Sequence, residues 1–151
     1  ALIDFNKFVL NGTGQVDAYL ETTIKIVGHN HLSSLLTAFK SIDQSQISKD
    51  IFLEIIRKEI LGDTLFGPIA RNIMKLWYTG MWYQLPLRWR QRYGESTDDS
   101  THFINSASYM EGLLWKTIDA PPSGAKGPGF ASWYPPPRIK FDNSWKLNND
   151  K

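Results

Sequence analysis

The sequence has 151 residues, with 17 Lys and Arg against 15 Asp and Glu and no cysteine. Its length fits one domain with its own hydrophobic core, and a formal net charge of +2 is too small for the concentrated basic surface that nucleic-acid binding needs. The lack of cysteine excludes disulfides, thiolate metal sites, cysteine nucleophiles and cysteine-ligated iron–sulfur clusters.

Side chains at helical spacing predict five short helices in the first two thirds of the chain. Their stripes are Phe5, Phe8 and Val9; Val16, Tyr19, Leu20, Thr23, Ile24 and Val27; Leu32, Leu35, Leu36 and Phe39; Phe52, Ile55, Ile56 and Ile60; and Ile69, Ile73, Leu76, Trp77 and Met81. Asp4 and Ser48 suit the N-cap positions of the first and fourth helices. Gly28 separates the second helix from the third, and Pro68 suits the first turn of the fifth.

The next segment is rich in aromatic and basic side chains, and a sixth helix follows it. The aromatic residues are Trp77, Tyr78, Trp82, Tyr83, Trp89 and Tyr93, with Arg88, Arg90 and Arg92 between the last of them. Pro86 prevents simple continuation of the fifth helix. Helical spacing from Ile104 to Ile118 predicts the sixth helix. Glu111 lies on its apolar stripe and needs a partner such as Arg88 if it is buried.

The C-terminal part of the chain is rich in proline and glycine. Six of the eight prolines lie between residues 121 and 137, which excludes a helix or a central strand there. Three consecutive prolines favour the extended polyproline II conformation. We therefore predict an all-α fold, an irregular bundle of about six short helices over residues 1–120. An extended arm over residues 121–151 would pack on this domain or on a partner subunit.

The sequence offers no convincing catalytic, cofactor or metal site. His29, His31 and His102 could meet only if the fold assembled them, and hydrogen-bonded or solvated loop histidines are the simpler interpretation. Glu95, Asp98 and Asp99 lie in a polar stretch where solvated carboxylates are expected. Gly12-Thr13-Gly14 and the glycines of residues 123–129 lack the strand and helix that phosphate-binding loops require. We predict no catalytic, cofactor-binding or metal-binding residue in this chain.

Several segments together resemble the small subunits of membrane-associated, FAD-dependent sorbitol dehydrogenases. Lys75-Leu76-Trp77-Tyr78-Thr79-Gly80-Met81-Trp82 resembles a tryptophan-tyrosine-x-glycine segment of that family, and Ser108-Tyr109-Met110-Glu111-Gly112-Leu113-Leu114-Trp115 resembles a second one. The strongest resemblance is in Pro121 to Trp133, and the opening helix from Phe5 to Gly12 adds a fourth piece. The pieces also occur in the family's order.

The resemblance implies a division of labour between subunits. A large subunit of the glucose–methanol–choline class would carry FAD and the catalytic residues, and a multihaem cytochrome c subunit could pass electrons onward. The small subunit would hold no cofactor. It would bind and stabilise the large subunit in the periplasm, assist its twin-arginine export, and contact the inner membrane only through the complex.

Aromatic side chains are the candidates for contact with the partner, because large rigid rings are frequent in protein interfaces. The predicted partner-binding residues are Trp77, Tyr78, Trp82, Tyr83, Trp115, Phe130, Trp133 and Tyr134. A second hypothesis is a carbohydrate-binding module in which Trp77, Trp82 and Trp89 stack on sugar rings. A third is a small hydrolase that uses Glu111 with His102.

Overall fold

The computed structural model describes residues 5–42 and 48–124, and it confirms the predicted all-α class. The α-helices are α1 (Lys7–Gly12), α2 (Val16–Val27), α3 (His29–Lys40), α4 (Lys49–Ile55), α5 (Phe66–Thr79), α6 (Leu87–Tyr93), α7 (Ser106–Met110) and α8 (Leu113–Thr117). A π-helix, Ile56–Leu61, continues α4. Two short strands, β1 (Met81–Trp82) and β2 (His102–Phe103), pair antiparallel with Met81 opposite Phe103.

Local signals place several helix ends where the sequence predicts them. The Ser48 hydroxyl accepts a hydrogen bond from the Ile51 backbone N–H and caps α4, as side chains at this position commonly do. Gly28, at a φ of +83°, ends α2 and directly precedes α3. Pro68 lies in the first turn of α5, where its missing N–H leaves no unmade intrahelical bond.

The start of the first helix differs from the prediction. Asn6, not Asp4, caps α1 by accepting a hydrogen bond from the Val9 N–H, and Asp4 lies outside the described residues. Phe5 precedes the helix, and Phe8 is 85% exposed. Phe5 and Val9 are half-buried, so the predicted apolar face of α1 is only partly buried.

The largest differences lie where long-range contacts decide the backbone. The predicted sixth helix is two short helices, α7 and α8, because the backbone at Gly112 is extended. A short helix that was not predicted, α6, begins directly after Pro86. His29 and His31 lie in the first turn of α3 rather than in a loop.

The core is organised around α5, which contacts α2, α8, β1 and the π-helix. Its apolar face buries Ile69 and Leu76 completely, and the π-helix contributes Ile56 and Ile60. Burying one such side chain contributes about 1.5–3 kcal/mol. The position of α5 therefore also sets that of β1, which follows it after Gly80 and contacts it.

The chain divides into two compact units, Ala1–Ala120 and Pro121–Lys151. Of the second unit, only residues 121–124 belong to the described part, so the predicted extended arm lies almost wholly outside it. Among the described residues, no helix combines the length and apolarity that crossing a membrane would require.

Candidate functional site

The two internal segments that carry the family resemblance meet in the structure. Residues 75–82 cover the end of α5 and β1, and residues 108–115 cover the end of α7 and most of α8. The Ser108 hydroxyl is buried and donates a hydrogen bond of 2.8 Å to the carbonyl oxygen of Gly80. The backbone N–H of Ile104 donates to the same oxygen at 3.2 Å. We call this contact the motif junction.

Two glycines allow the backbones to approach closely at the motif junction. Gly80 ends α5 in the left-handed conformation, at a φ of +70°, and a Cβ placed on it would collide with the backbone of Ser108. A Cβ on Gly112 would lie 2.8 Å from the carbonyl oxygen of Tyr78. Glycine suits both positions because it has no side chain to exclude the neighbouring backbone.

A row of three aromatic rings extends from the motif junction. The rings of Phe103 and Tyr109 meet edge to face at 5.5 Å, and those of Tyr109 and Trp115 at 5.4 Å. The indole N–H of Trp115 donates to the carbonyl oxygen of Tyr109 at 2.8 Å. We call Phe103, Tyr109 and Trp115 the aromatic row. Four apolar residues in this part of the chain are exposed: Phe103, Met110, Leu114 and Ile118.

Trp77 lines a groove between α2, α3 and α5. Its ring meets that of Tyr19 edge to face at 4.9 Å. The groove has a volume of about 240 Å³ and is lined by Val16, Tyr19, Leu20, Thr23, Leu32, Leu36, Ile73, Leu76 and Trp77. We call it the three-helix groove.

The remaining predicted partner-binding residues have different positions. Tyr78 is half-buried with its ring 6.3 Å from that of Phe5, and Tyr83 is half-buried beneath the ammonium group of Lys75. Trp82 has an exposed fraction of 0%, so it belongs to the core and has no surface for a partner. Phe130, Trp133 and Tyr134 lie outside the described residues.

The burial of Trp82 depends on a carboxylate that the sequence analysis expected to be solvated. Asp99 is 4% exposed, and its oxygens accept hydrogen bonds from the Trp82 indole N–H at 2.9 Å and from the Leu85 backbone N–H at 3.1 Å. The Arg90 guanidinium lies 3.8 Å away. These partners hold the carboxylate in a structural position rather than presenting it to a substrate.

Glu111 does not form the predicted pair with Arg88. Arg88 is exposed on α6, and the ion pairs between described residues include neither side chain. Glu111 is half-buried and acts electrostatically on Tyr19. Burial, together with the Glu111 carboxylate, raises the pKa of the Tyr19 hydroxyl to about 12.

The histidines do not assemble a metal site in the described part of the chain, which holds no group of three or more potential His or carboxylate ligands. His31 donates from Nδ1 to the Val27 carbonyl oxygen, and its ring contacts those of Trp89 and Tyr93. His102 donates from Nδ1 to the Ser100 carbonyl oxygen. Both rings are thus tied to the backbone.

Sequence reasoning missed three residues of these surfaces. Tyr109 lies inside the second resembling segment, but nothing in its spacing marks it as a surface residue. Phe103 contacts Tyr109 only because β2 pairs with β1. Tyr19 has the helical spacing of an ordinary core residue. Only the packing of α2 on α5 brings Tyr19 against Trp77.

Tyr19 supports a prediction about stability. Its hydroxyl is buried without a hydrogen-bond partner among the described residues, and an unsatisfied buried polar group costs about 1–3 kcal/mol. Tyr19→Phe is therefore expected to raise the free energy of unfolding by about 1 kcal/mol, measured by urea unfolding at pH 7. A loss of stability on this substitution would contradict the burial of an unpaired hydroxyl.

Tyr19 also makes the folding stability depend on pH. The unfolded tyrosine loses its proton near pH 10, whereas the folded protein keeps it up to about pH 12. Stability should therefore be unaffected by Tyr19 below pH 10 and fall as the pH rises from about 10 to 12. The stability advantage of Tyr19→Phe should grow over that window, and a constant difference would contradict the raised pKa.

Comparison of the chain with protein-family models, with curated proteins and with solved structures finds no match. The family resemblance consequently depends on the quoted segments and on the order in which they occur.

Proposed function

We propose that this chain is a non-catalytic small subunit that binds, stabilises and assists the export of a larger FAD-dependent dehydrogenase subunit. The partner would be an alcohol or sugar dehydrogenase of the glucose–methanol–choline class. The observation that carries the proposal is the motif junction, where both internal segments of the resemblance contact each other beside exposed apolar side chains.

The aromatic row supports this proposal. Its rings are fixed by edge-to-face contacts and by the Trp115 indole hydrogen bond, so little side-chain entropy remains to be lost on binding. Phe103, Met110, Leu114 and Ile118 expose apolar surface in the same part of the chain. Contiguous exposed apolar surface marks interaction sites in soluble proteins, and rigid aromatic anchors dominate the energy of many interfaces.

The resemblance supplies the rest of the proposal. FAD would reside in the partner, haem c in a possible third subunit, and the complex in the periplasm at the inner membrane. This chain would then contribute affinity and stability to the complex, and the electron transfer would take place in other subunits.

The burial of two tryptophans argues against the carbohydrate-binding hypothesis. Stacking platforms must be exposed to sugar rings, but Trp82 and Trp89 are both buried. The Trp89 indole N–H also donates to the Leu65 carbonyl oxygen at 2.9 Å, as expected for a core tryptophan.

Isolation of the complex tests the proposed function. The full chain, affinity-tagged in its native host, should co-purify with a larger polypeptide that has a flavin absorption spectrum. Ile118→Glu changes an exposed side chain near the aromatic row and should reduce recovery of that partner about tenfold or more, because it buries a charge in an apolar contact. Ile51→Glu, at an equally exposed isoleucine on α4, is the matched control and should leave recovery unchanged.

Truncation of the aromatic anchor gives a second readout. Trp115→Ala should weaken the complex by about 2 kcal/mol, or about 30-fold in Kd, while the flavin turnover per assembled complex stays constant. Thermal unfolding of the variant must accompany the measurement, because the lost indole also bonds Tyr109. Recovery of a stable chain without any flavoprotein would refute the proposed function.

A further inference from the structure

The three-helix groove is built from matching pairs of side chains on three helices. The pairs are Val16 and Leu20 on α2, Leu32 and Leu36 on α3, and Ile73 and Trp77 on α5. Each pair is spaced i, i+4, so its members lie one above the other on one helix face. On each wall the two members of a pair are therefore separated by about one helical turn, or about 5.4 Å.

The lining of the groove is suited to apolar side chains rather than to a small polar ligand. The Thr23 hydroxyl is occupied, because it donates to the Tyr19 carbonyl oxygen at 2.7 Å, and the Tyr19 hydroxyl is buried away from solvent. Small-molecule sites usually add a few convergent polar groups to fix the ligand. A volume of about 240 Å³ accommodates a few side chains inserted from above.

Ridges at helical spacing fit an occupant with the same spacing. An amphipathic helix laid on a groove inserts its residues i, i+3, i+4 and i+7 between the ridges of the receiving helices. Leu20 on α2 and Leu36 on α3 are 46% and 47% exposed. Such a helix would bury both and complete a fourth wall.

The rim of the groove adds a charge preference. Asp17 and Glu21 each follow one of the α2 lining residues, about 100° further around the helix, and both are exposed. Lys40 stands on the α3 side, one turn after Leu36. None of these three takes part in an ion pair between described residues. The α2 rim therefore favours basic side chains on the neighbouring flank of the occupant.

We propose that the three-helix groove receives an amphipathic helix of a partner protein. Its apolar side chains at i, i+4 spacing enter the groove, and its Lys or Arg residues face Asp17 and Glu21. Under the proposed function the large dehydrogenase subunit is the expected source of this helix, although the groove would receive such a helix equally from a partner without flavin.

Site-specific photo-crosslinking in the native host tests this proposal. Benzoylphenylalanine at Leu20 or Leu36 of the full chain should form an adduct with one defined segment of another polypeptide, identified by mass spectrometry as a helical segment with apolar residues at i, i+4 spacing and a basic flank. Leu87 is 55% exposed on α6 and is the control position, where this adduct should be absent. Adducts to a second copy of the chain, adducts to its own residues 125–151, or no adduct at all would each overturn the proposal.

A charge-reversal pair gives an independent arm. Glu21→Lys should reduce recovery of the crosslinked partner several-fold at low ionic strength. At 1 M salt the reduction should be small, because the Debye length falls to about 3 Å and exposed charges further apart than that are screened. Glu54→Lys, at an exposed glutamate on α4, should have no effect, and equal effects of the two would overturn the assigned rim. If the adduct partner holds no flavin, the groove proposal stands and the proposed function fails. If a flavoprotein co-purifies but no adduct forms at the groove, the proposed function stands and the groove proposal fails.

Discussion

Asp99→Ala is expected to lower the free energy of unfolding by about 3–5 kcal/mol, because each buried donor left unsatisfied costs about 1–3 kcal/mol. The carboxylate is buried and accepts hydrogen bonds from Trp82 and Leu85, so the substitution leaves two buried N–H groups unsatisfied. It also leaves the partly buried Arg90 guanidinium without its nearest buried carboxylate. Urea unfolding followed by Trp fluorescence measures the loss directly.

The neighbouring residue supplies a matched control. Asp98 pairs with Lys25 at 2.8 Å, but the two side chains are 42% and 65% exposed, and such surface pairs contribute about 0–1 kcal/mol. Asp98→Ala should therefore change the stability by no more than about 1 kcal/mol. Similar losses for the two alanine variants would show that Asp99 is not the buried anchor of Trp82. Asp99→Asn keeps the shape and one acceptor oxygen, and should fall between them.

Gly80→Ala is the second substitution with a large expected effect, about 3 kcal/mol or more of lost stability. The left-handed backbone accounts for roughly 1–2 kcal/mol of it, since φ at this position is +70°. The rest comes from the collision of the new methyl group with the Ser108 backbone, which must open the motif junction. The variant should consequently also lose partner recovery in the co-purification assay.

Gly14 separates the two contributions to that loss. Its φ of +66° nearly matches that of Gly80, but no atom lies within 4 Å of the position a Cβ would take. Gly14→Ala should therefore show the backbone cost alone, roughly 1–2 kcal/mol, and leave the partner bound. If both alanine variants lost the same stability, the close approach at Gly80 would make no contribution of its own.

Features that depend on neighbours a few residues apart were predictable from the amino-acid sequence. Helical spacing identified buried residues of α2, α3 and α5 such as Tyr19, Leu32 and Leu76. The cap of α4 follows from the Ser48 hydroxyl and one nearby N–H, and Gly28 separates two helices through its own backbone freedom. These signals are local because a helix satisfies its hydrogen bonds within about four residues. An all-α fold was predictable for the same reason.

Features that join distant parts of the chain became visible only in the folded protein. Asp99 looks solvated in a polar stretch until β1 and the residues after it bring the Trp82 and Leu85 donors to it. Gly112 looks like a tolerable glycine within one helix until Tyr78 packs against it. The burial of Trp82 and the exposure of Phe8 were likewise missed. Burial and polar pairing depend on atoms tens of residues away, and helical periodicity carries no information about which of those atoms will be neighbours.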